Sequence, residues 1–488
     1  MVNTSASLHR STPEMQGLPC SAIQNFLDAA QQPGLELHSL MLVRHGHVIA
    51  ECWWYPYAAE KAHLLYSLSK SFCATAAGLA IQEGLFALDD TVLSFFPEEA
   101  PSHPDENLAA MRVRHLLSMS TGHAEDTTRF LWEAADGNWA RAFLARPVEH
   151  APGTHFLYNS GATYMVSAIL QKVTGQTMLD FLEPRLFQPL GISGVISDSS
   201  PQGVNVGGWG MSVKTEDIAL FGQLYLQRGI WNGQRILNEE WVEAATSAQV
   251  SNGDDENSDW AQGYGFQFWR CRHNAYRGDG AFGQYCVVMP DQDMVLAITS
   301  NVANMGEVLN LVWEHLLPAC SPTPLPEKEA AVTQLRDRLA QERVAAPAGE
   351  TSSAIAGEVS GRKYQFSSNE QSIESVSFHF GEQCTLTVQD ARGVHQVICG
   401  VGEWHSAETT FLQNKVWPGE LPKPSWRLTA NGVWTTPDTF EIKLCFDETP
   451  FTPTLTCQFL PNKRVLMNLR GPVGFGPWDR AQLEGKAN

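Results

Sequence analysis

The sequence predicts a mixed α/β (α+β) layer protein followed by a separate all-β unit, and three observations carry that prediction. Residues up to about 320 alternate helix-like and strand-like segments. A Pro-rich, then charged, then flexible stretch interrupts the chain at about 321–353. Beyond it come seven short alternating strands with no convincing helix. A chain of 488 residues is also too long for one ordinary core, so two domains are expected on length alone. The boundaries read as 1–320 for the first domain, 321–353 for a linker with an amphipathic helix, and 354–488 for the β-rich domain.

Each element has its own signal. SLMLVRHGHVIAECWW (39–54) is rich in β-formers and is broken by His45-Gly46-His47, which suits a hairpin turn. LLYSLSKSFCATAAGLAIQEG (64–84) reads as a helix, and DDTVLSFFP and MRVRHLLSMSTGH follow it. TYMVSAILQKVTG (163–175) has helical spacing and a Gly stop. TEDIALFGQLYLQRG (215–229) is a helix with Thr215 as the expected N-cap and Glu216 and Asp217 in its first turn. YGFQFW (264–269), QYCVVMP and MVLAITSN (284–301) read as neighbouring strands. In the linker, SPTPLP precedes the charged helix EKEAAVTQLRDRLAQERV, and APAGETSS follows it. SVSFHF, CTLTVQD, HQVICGV, SWRLTANGVWTT, TFEIKLCF, TLTCQFL and RVLMNLR then form a β-barrel or a sandwich. No internal repeat links the two parts.

Bulk properties narrow the function. The hydrophobic fraction of 43% is that of a globular protein. A formal net charge of -20 argues against nucleic acid as a partner and favours solubility. The start, MVNTSASLHRSTPEMQG, lacks a basic start with an apolar run behind it, and no window approaches 18 consecutive apolar residues. Ten scattered cysteines without CxxC pairs read as free thiols of a reducing cytoplasm. The scattered histidines and the lack of HExxH give metal little support, and no cofactor is called for.

The chemistry concentrates in LLYSLSKSFCATAAG. Lys70 stands three positions after Ser67, so a helix puts both side chains on one face. Ser67 sits at the helix start, where free N–H groups and the dipole favour a developing anion. Among Phe72, Cys73 and Ala74, Lys70 loses solvation, which lowers its proton affinity and lets it activate the Ser67 hydroxyl. Ser69 points elsewhere and Ser71 lies deeper in the helix. The same spacing recurs at Ser360-Gly361-Arg362-Lys363, where no helix start is expected, so the pattern needs partners. One partner is Tyr158, on the constrained loop Pro152-Gly153-Thr154-His155-Phe156-Leu157-Tyr158-Asn159-Ser160-Gly161. Another is Arg277-Gly278-Asp279-Gly280-Ala281-Phe282-Gly283-Gln284, whose glycines permit close approach of a ligand to backbone.

In this order and spacing the three segments resemble the serine β-lactamase and penicillin-binding-protein superfamily. Within it they are similar to the class C-like group of family VIII carboxylesterases, D-aminopeptidases and nylon-oligomer hydrolase. The likeness runs from about 12 to 320 and includes VRHLLSMSTGH, GGWGMSVKTEDIALFGQLYL and WNGQRILNEEWV. It implies a β-lactamase-like catalytic domain with a central antiparallel sheet flanked by helices. It implies that Ser67 is acylated, that Lys70 accepts its proton, and that Tyr158 shuttles a proton to the leaving group. The backbone N–H groups of Ser67 and Ala281 would form the oxyanion hole. Gly278-Asp279-Gly280 falls where the family has Lys-Thr-Gly, so the strand lysine is replaced by Gly278. The family's Asn two places after the Tyr is Ser160 here, with Asn159 one place earlier, and either is a candidate for substrate contact. Arg277 is expected to point to the opposite strand face.

Other residues carry two readings each. His123, in the segment the family places near the cleft, either lines the pocket or makes a structural hydrogen bond. Trp132, Trp209, Tyr264, Phe266 and Trp269 are acyl-pocket or core aromatics. Cys73 reads as an inert small hydrophobe. The expected activity is a cytoplasmic serine hydrolase cleaving a small ester or amide through an acyl-enzyme, with carboxylesterase favoured because the carboxylate-holding lysine is missing. A D-amino-acid amidase or peptidase, or a weak β-lactamase, is the alternative, and a catalytically degenerate penicillin-binding-like protein is the second. No nucleic acid or membrane partner is expected.

Overall fold

The computed structural model describes residues 8–412, 424–475 and 481–487. The first seven residues of the N-terminal stretch MVNTSASLHRSTPEMQG lie outside these. One sheet has seven strands: β1 (His9–Arg10), β2 (Leu35–Arg44), β3 (His47–Trp53), β4 (Trp269–Arg270), β5 (Tyr276–Gly280), β6 (Gln284–Met289) and β7 (Met294–Val302). Their order is β1-β3-β2-β7-β6-β5-β4, antiparallel throughout except for the β1–β3 pairing. The β2–β3 hairpin turns through His45 and Gly46, both with positive φ, the hand that matches strand twist.

The strand interiors explain the layering. Along β6 and β7, Cys286, Val288, Val295 and Ala297 face one core, while Tyr285, Val287, Leu296 and Ile298 face another. A period of two therefore feeds two helical layers. On the first face lie α2 (Ser69–Gln82), α3 (Ser160–Thr174) and α4 (Thr215–Leu226). On the second lie α1 (Cys20–Ala29) and the helical turns of Met305–Ala319. The charged helix of the 321–353 stretch, α5 (Glu329–Leu339), docks on this second face through buried Leu335 and an Arg338–Asp28 ion pair of 2.7 Å.

Among the described residues the C-terminal part is a ten-stranded sheet that curls back on itself. Gly393–Val401 pairs in parallel with Trp426–Thr436, closing a barrel around a core of its own. All seven expected strands are present. Lys363–Phe366, His405–Thr409 and Leu483–Lys486 are additional, and their short, mostly polar runs carry too few buried residues to signal a strand. The barrel core extends beyond the barrel: Leu64 and Tyr66, just ahead of Ser67, are part of it, and Ala281 and Phe282 pack against it.

Two local expectations are corrected. YGFQFW is not a strand before Trp269, because Gln267 takes a left-handed backbone (φ 64) and its side chain is drawn into the helices by Thr163 and the carbonyls of Leu116 and Leu117. Thr215 is the first helical residue rather than the N-cap. Lys214 holds the cap position, its N–H bonded to Asp217, while the Thr215 hydroxyl turns to Ser39.

Among the described residues, no helix is long and apolar enough to cross a membrane.

Candidate functional site

Ser67 lies in a single 3-10 turn, Tyr66–Leu68, that leads into α2. Lys70 follows in the first turn of α2, three residues after Ser67, so the two side chains share one face. The helix behind them is small and apolar nearly all round, and it is buried from Ser69 to Ala80. Its Gly78 has Trp241 where a Cβ would stand. Such a helix can only occupy the centre of the domain, and it carries Lys70 in with it, to 1% exposure.

Lys70 Nζ lies 2.9 Å from Ser67 Oγ, 3.0 Å from Ser160 Oγ and 2.6 Å from the Gly208 carbonyl. Burial lowers its pKa from 10.5 to about 7, against an opposing pull from Asp126 and Asp279. A neutral amine has two N–H groups and one lone pair. The Gly208 carbonyl can only accept, so one N–H goes there and the lone pair remains for a serine hydroxyl. Ser69 and Ser71 do not compete: Ser69 Oγ donates to the Tyr66 carbonyl and Ser71 Oγ to the Gln267 carbonyl, both fully buried.

Tyr158 closes the third side. Its ring centroid lies 4.8 Å from Lys70 Nζ, and Ser67 is among the groups that act on its hydroxyl. Burial and the neighbouring Asp279 hold the phenol well above its ordinary pKa, so it stays protonated. Trp269 stacks on the ring at 5.4 Å and Tyr264 meets it edge-on at 6.3 Å. Of the other candidate aromatics, Phe266 stacks on Trp241 in the core, while exposed Trp132 packs edge-on against Trp209, next to Gly208.

Asn159 and Ser160 take different places in the structure. Asn159 is fully buried and caps α3: its Oδ1 accepts from Gly161 N–H (3.1 Å) and from the Thr127 hydroxyl (2.8 Å). Gly161 fits there because a Cβ would run into Thr127. Ser160, at the first helical position, is therefore the residue turned to Lys70. Asp126 holds it from behind by accepting its backbone N–H at 3.1 Å.

Strand β5 supplies the fourth wall. A Cβ on Gly278 would stand 2.5 Å from both Leu68 and the Ser71 hydroxyl, and one on Gly280 would overlap the Leu65 carbonyl. The strand thus lies directly on the Ser67 turn, which brings Ala281 beside it, and a side chain at 278 would have to displace Leu68 and Ser71. Arg277, 0% exposed, points to the other face with Asp279; the two pair at 2.8 Å, and Arg277 also donates to the Asp259 carbonyl. Tyr66 (φ 48) and Phe282 (φ 69), which flank Ser67 and Ala281, both hold left-handed backbones, at roughly 1–2 kcal/mol each.

Three other features singled out in the sequence have structural roles. His123 is buried edge-on against Phe143 with Nδ1 on the Thr121 hydroxyl, and burial lowers its pKa to about 4; this is the structural reading, not a pocket lining. Cys73 is buried, with its thiol pushed up to about 12. At the second Ser-x-x-Lys, Ser360 Oγ accepts from Phe380 N–H and Lys363 bonds Gln389 on an exposed strand. Neither the Gly208 carbonyl nor Asp126 has a clear signal in the sequence. The paired glycines of GGWG were the only hint of the first.

Known proteins resemble the chain over the part that holds this site. The chain is 24% identical over 282 residues to 6-aminohexanoate-dimer hydrolase from Paenarthrobacter ureafaciens, covering 54% of this chain and 72% of that protein. It is 24% identical over 293 residues to lovastatin esterase from Penicillium rubens, covering 54% of this chain and 62% of the esterase. A solved structure described as a 6-aminohexanoate-dimer hydrolase from Bacillus anthracis shares the fold, with a TM-score of 0.55 at 19% identity over 66% of this chain and 89% of that one. The family model described as Beta-lactamase matches residues 21–321, more than half of the sequence. This chain belongs to the beta-lactamase family.

Proposed function

We propose that the protein is a serine hydrolase that cleaves small esters through a covalent acyl-enzyme. The observation that carries this reading is the buried, proton-poor Lys70 amine 2.9 Å from Ser67 Oγ. In this scheme Ser67 Oγ attacks the carbonyl carbon and its proton passes to Lys70. The oxyanion is held by the N–H groups of Ser67 and Ala281. As the acyl–oxygen bond breaks, Tyr158 gives its proton to the departing alkoxide, and protonated Lys70 beside it returns a proton to the phenolate. Water then attacks the acyl carbon, again giving a proton to the amine, and Ser67 leaves with one.

Two features favour an ester. The strand position that bears the family's lysine is a glycine where a side chain would have to displace Leu68 and Ser71, and the neighbouring cation, Arg277, is buried and paired with Asp279. A carboxylate on the substrate therefore has no evident anchor, while an ester needs little help to expel its alcohol. The similarity to a lovastatin esterase supports this choice, and the similarity to a 6-aminohexanoate-dimer hydrolase makes the amide the second reading. Matched p-nitrophenyl butyrate and butyryl p-nitroanilide decide between them. The expected result is ester turnover that Ser67→Ala abolishes, with little anilide turnover; anilide turnover at a comparable rate would replace esterase by amidase.

A further inference from the structure

We propose that the C-terminal barrel is a working part of the active site, with Phe451 as a positioning residue for the oxyanion hole. The inference rests on the serine-hydrolase reading above and concerns how its backbone donors are held. Tyr66 precedes Ser67 and Phe282 follows Ala281, and both have the left-handed backbone that bulky residues adopt only when their surroundings enforce it. Among the described residues of the catalytic part, these two rings stack on no ring but each other, edge to face at 5.5 Å. What encloses them comes from the barrel. Phe451, 2% exposed, lies 6.3 Å from the Tyr66 ring and 5.8 Å from the Phe282 ring, so it touches both sides of the hole at once. Phe475, 71% exposed, covers the pair from outside at 5.2 and 4.9 Å.

The segment that carries Phe451 is itself fastened to the catalytic part. Leu64 N–H donates to the Glu448 carbonyl at 2.9 Å, Tyr57 Oη to the Thr449 carbonyl at 3.0 Å, Lys61 Nζ to Asp447 at 2.6 Å, and Asn301 Nδ2 to Thr452 at 2.8 Å. Four anchors, three from residues 57–64 and one from Asn301, hold one short loop. Tyr66 supplies a further sign that shape, not polarity, is used here, since among the described residues its buried hydroxyl has no partner. Ring packing is thus what keeps the two backbones, and the N–H groups next to them, in register. An oxyanion hole loses force steeply when its donors drift, because their contribution depends on being fixed before the reaction.

The test uses the full chain with Phe451→Ala and Phe451→Leu, p-nitrophenyl butyrate as substrate, and phenylboronic acid as a tetrahedral mimic. In Phe451→Ala, kcat should fall on the order of 30-fold with KM nearly unchanged, and boronate affinity should fall in step with kcat/KM. Phe451→Leu should recover most of the loss. A folded Phe451→Ala protein with wild-type kcat and boronate affinity overturns the proposal, even if its Tm is lower. If Phe451→Ala does not fold, Phe282→Gly takes its place: glycine accepts the left-handed backbone but removes the ring, and wild-type kcat in that variant overturns the proposal equally. Wild-type protein without Ser67-dependent turnover would instead overturn the hydrolase reading and this inference with it.

Discussion

Replacing Lys70 with Met removes a buried titratable amine, and the consequence for stability can be worked out with its sign. In the folded protein the Lys70 pKa is lowered from 10.5 to about 7. Between those two values the unfolded chain binds a proton that the folded chain does not, so wild-type stability rises with pH across that window. A tenfold change in proton affinity corresponds to about 1.4 kcal/mol, and at 1% exposure solvent screening does little to reduce it. Keeping this lysine inside therefore costs about 4 kcal/mol at pH 7 and about 2 kcal/mol at pH 9. Met has a similar volume and no charge; it forfeits the hydrogen bonds to Ser67, Ser160 and Gly208, but that loss does not vary with pH. Urea unfolding of wild type and Lys70→Met at pH 6, 7, 8 and 9 reads the difference directly. The wild type should gain about 2 kcal/mol on the variant between pH 7 and 9 and nothing below pH 6. A pH-independent difference would mean that Lys70 keeps an ordinary proton affinity, and the activation scheme for Ser67 would lose its basis.

Three further outcomes concern activity and one concerns stability. In the wild type, log kcat/KM for p-nitrophenyl butyrate should climb with unit slope below about pH 7 and level off above it, as Lys70 loses its proton. Asp126→Asn keeps an acceptor for Ser160 N–H but removes the charge that favours the ammonium, so this limb should move to lower pH by a few tenths of a unit; movement to higher pH would contradict the assignment. Tyr158→Phe keeps the stack on Trp269 and loses the proton donor, so kcat should fall by roughly 10²–10⁴ with KM little changed. Gly278→Lys should destabilise the protein by at least ~2 kcal/mol in thermal or urea unfolding rather than create penicillin turnover, because Leu68 and Ser71 occupy the space of its Cβ.

How much of the fold and site is legible in the sequence depends on the range of each signal. Ser67 and Lys70 can be read because three-residue spacing on a helix is local geometry, and the β2–β3 hairpin because His45-Gly46 fixes a turn by itself. The different places of Asn159 and Ser160 cannot be read from sequence, since Thr127, more than thirty residues upstream, donates to the Asn159 side chain. The Gly208 carbonyl is invisible because a backbone acceptor has no side chain to announce it. YGFQFW carries strand-like aromatics, yet a distant polar partner for Gln267 overrides the local preference. The contact of Phe451 with the Ser67 turn joins positions almost four hundred residues apart, a packing relation that no composition or period encodes.

Whether Ser67 is the nucleophile, activated by Lys70, is tested most directly by treatment with a fluorophosphonate followed by intact-mass analysis and peptide mapping. A single adduct on the Ser67 peptide is expected, formed faster at pH 8 than at pH 6, absent from Ser67→Ala and strongly slowed in Lys70→Met. An unlabelled wild type, or labelling that persists in Ser67→Ala, would contradict it.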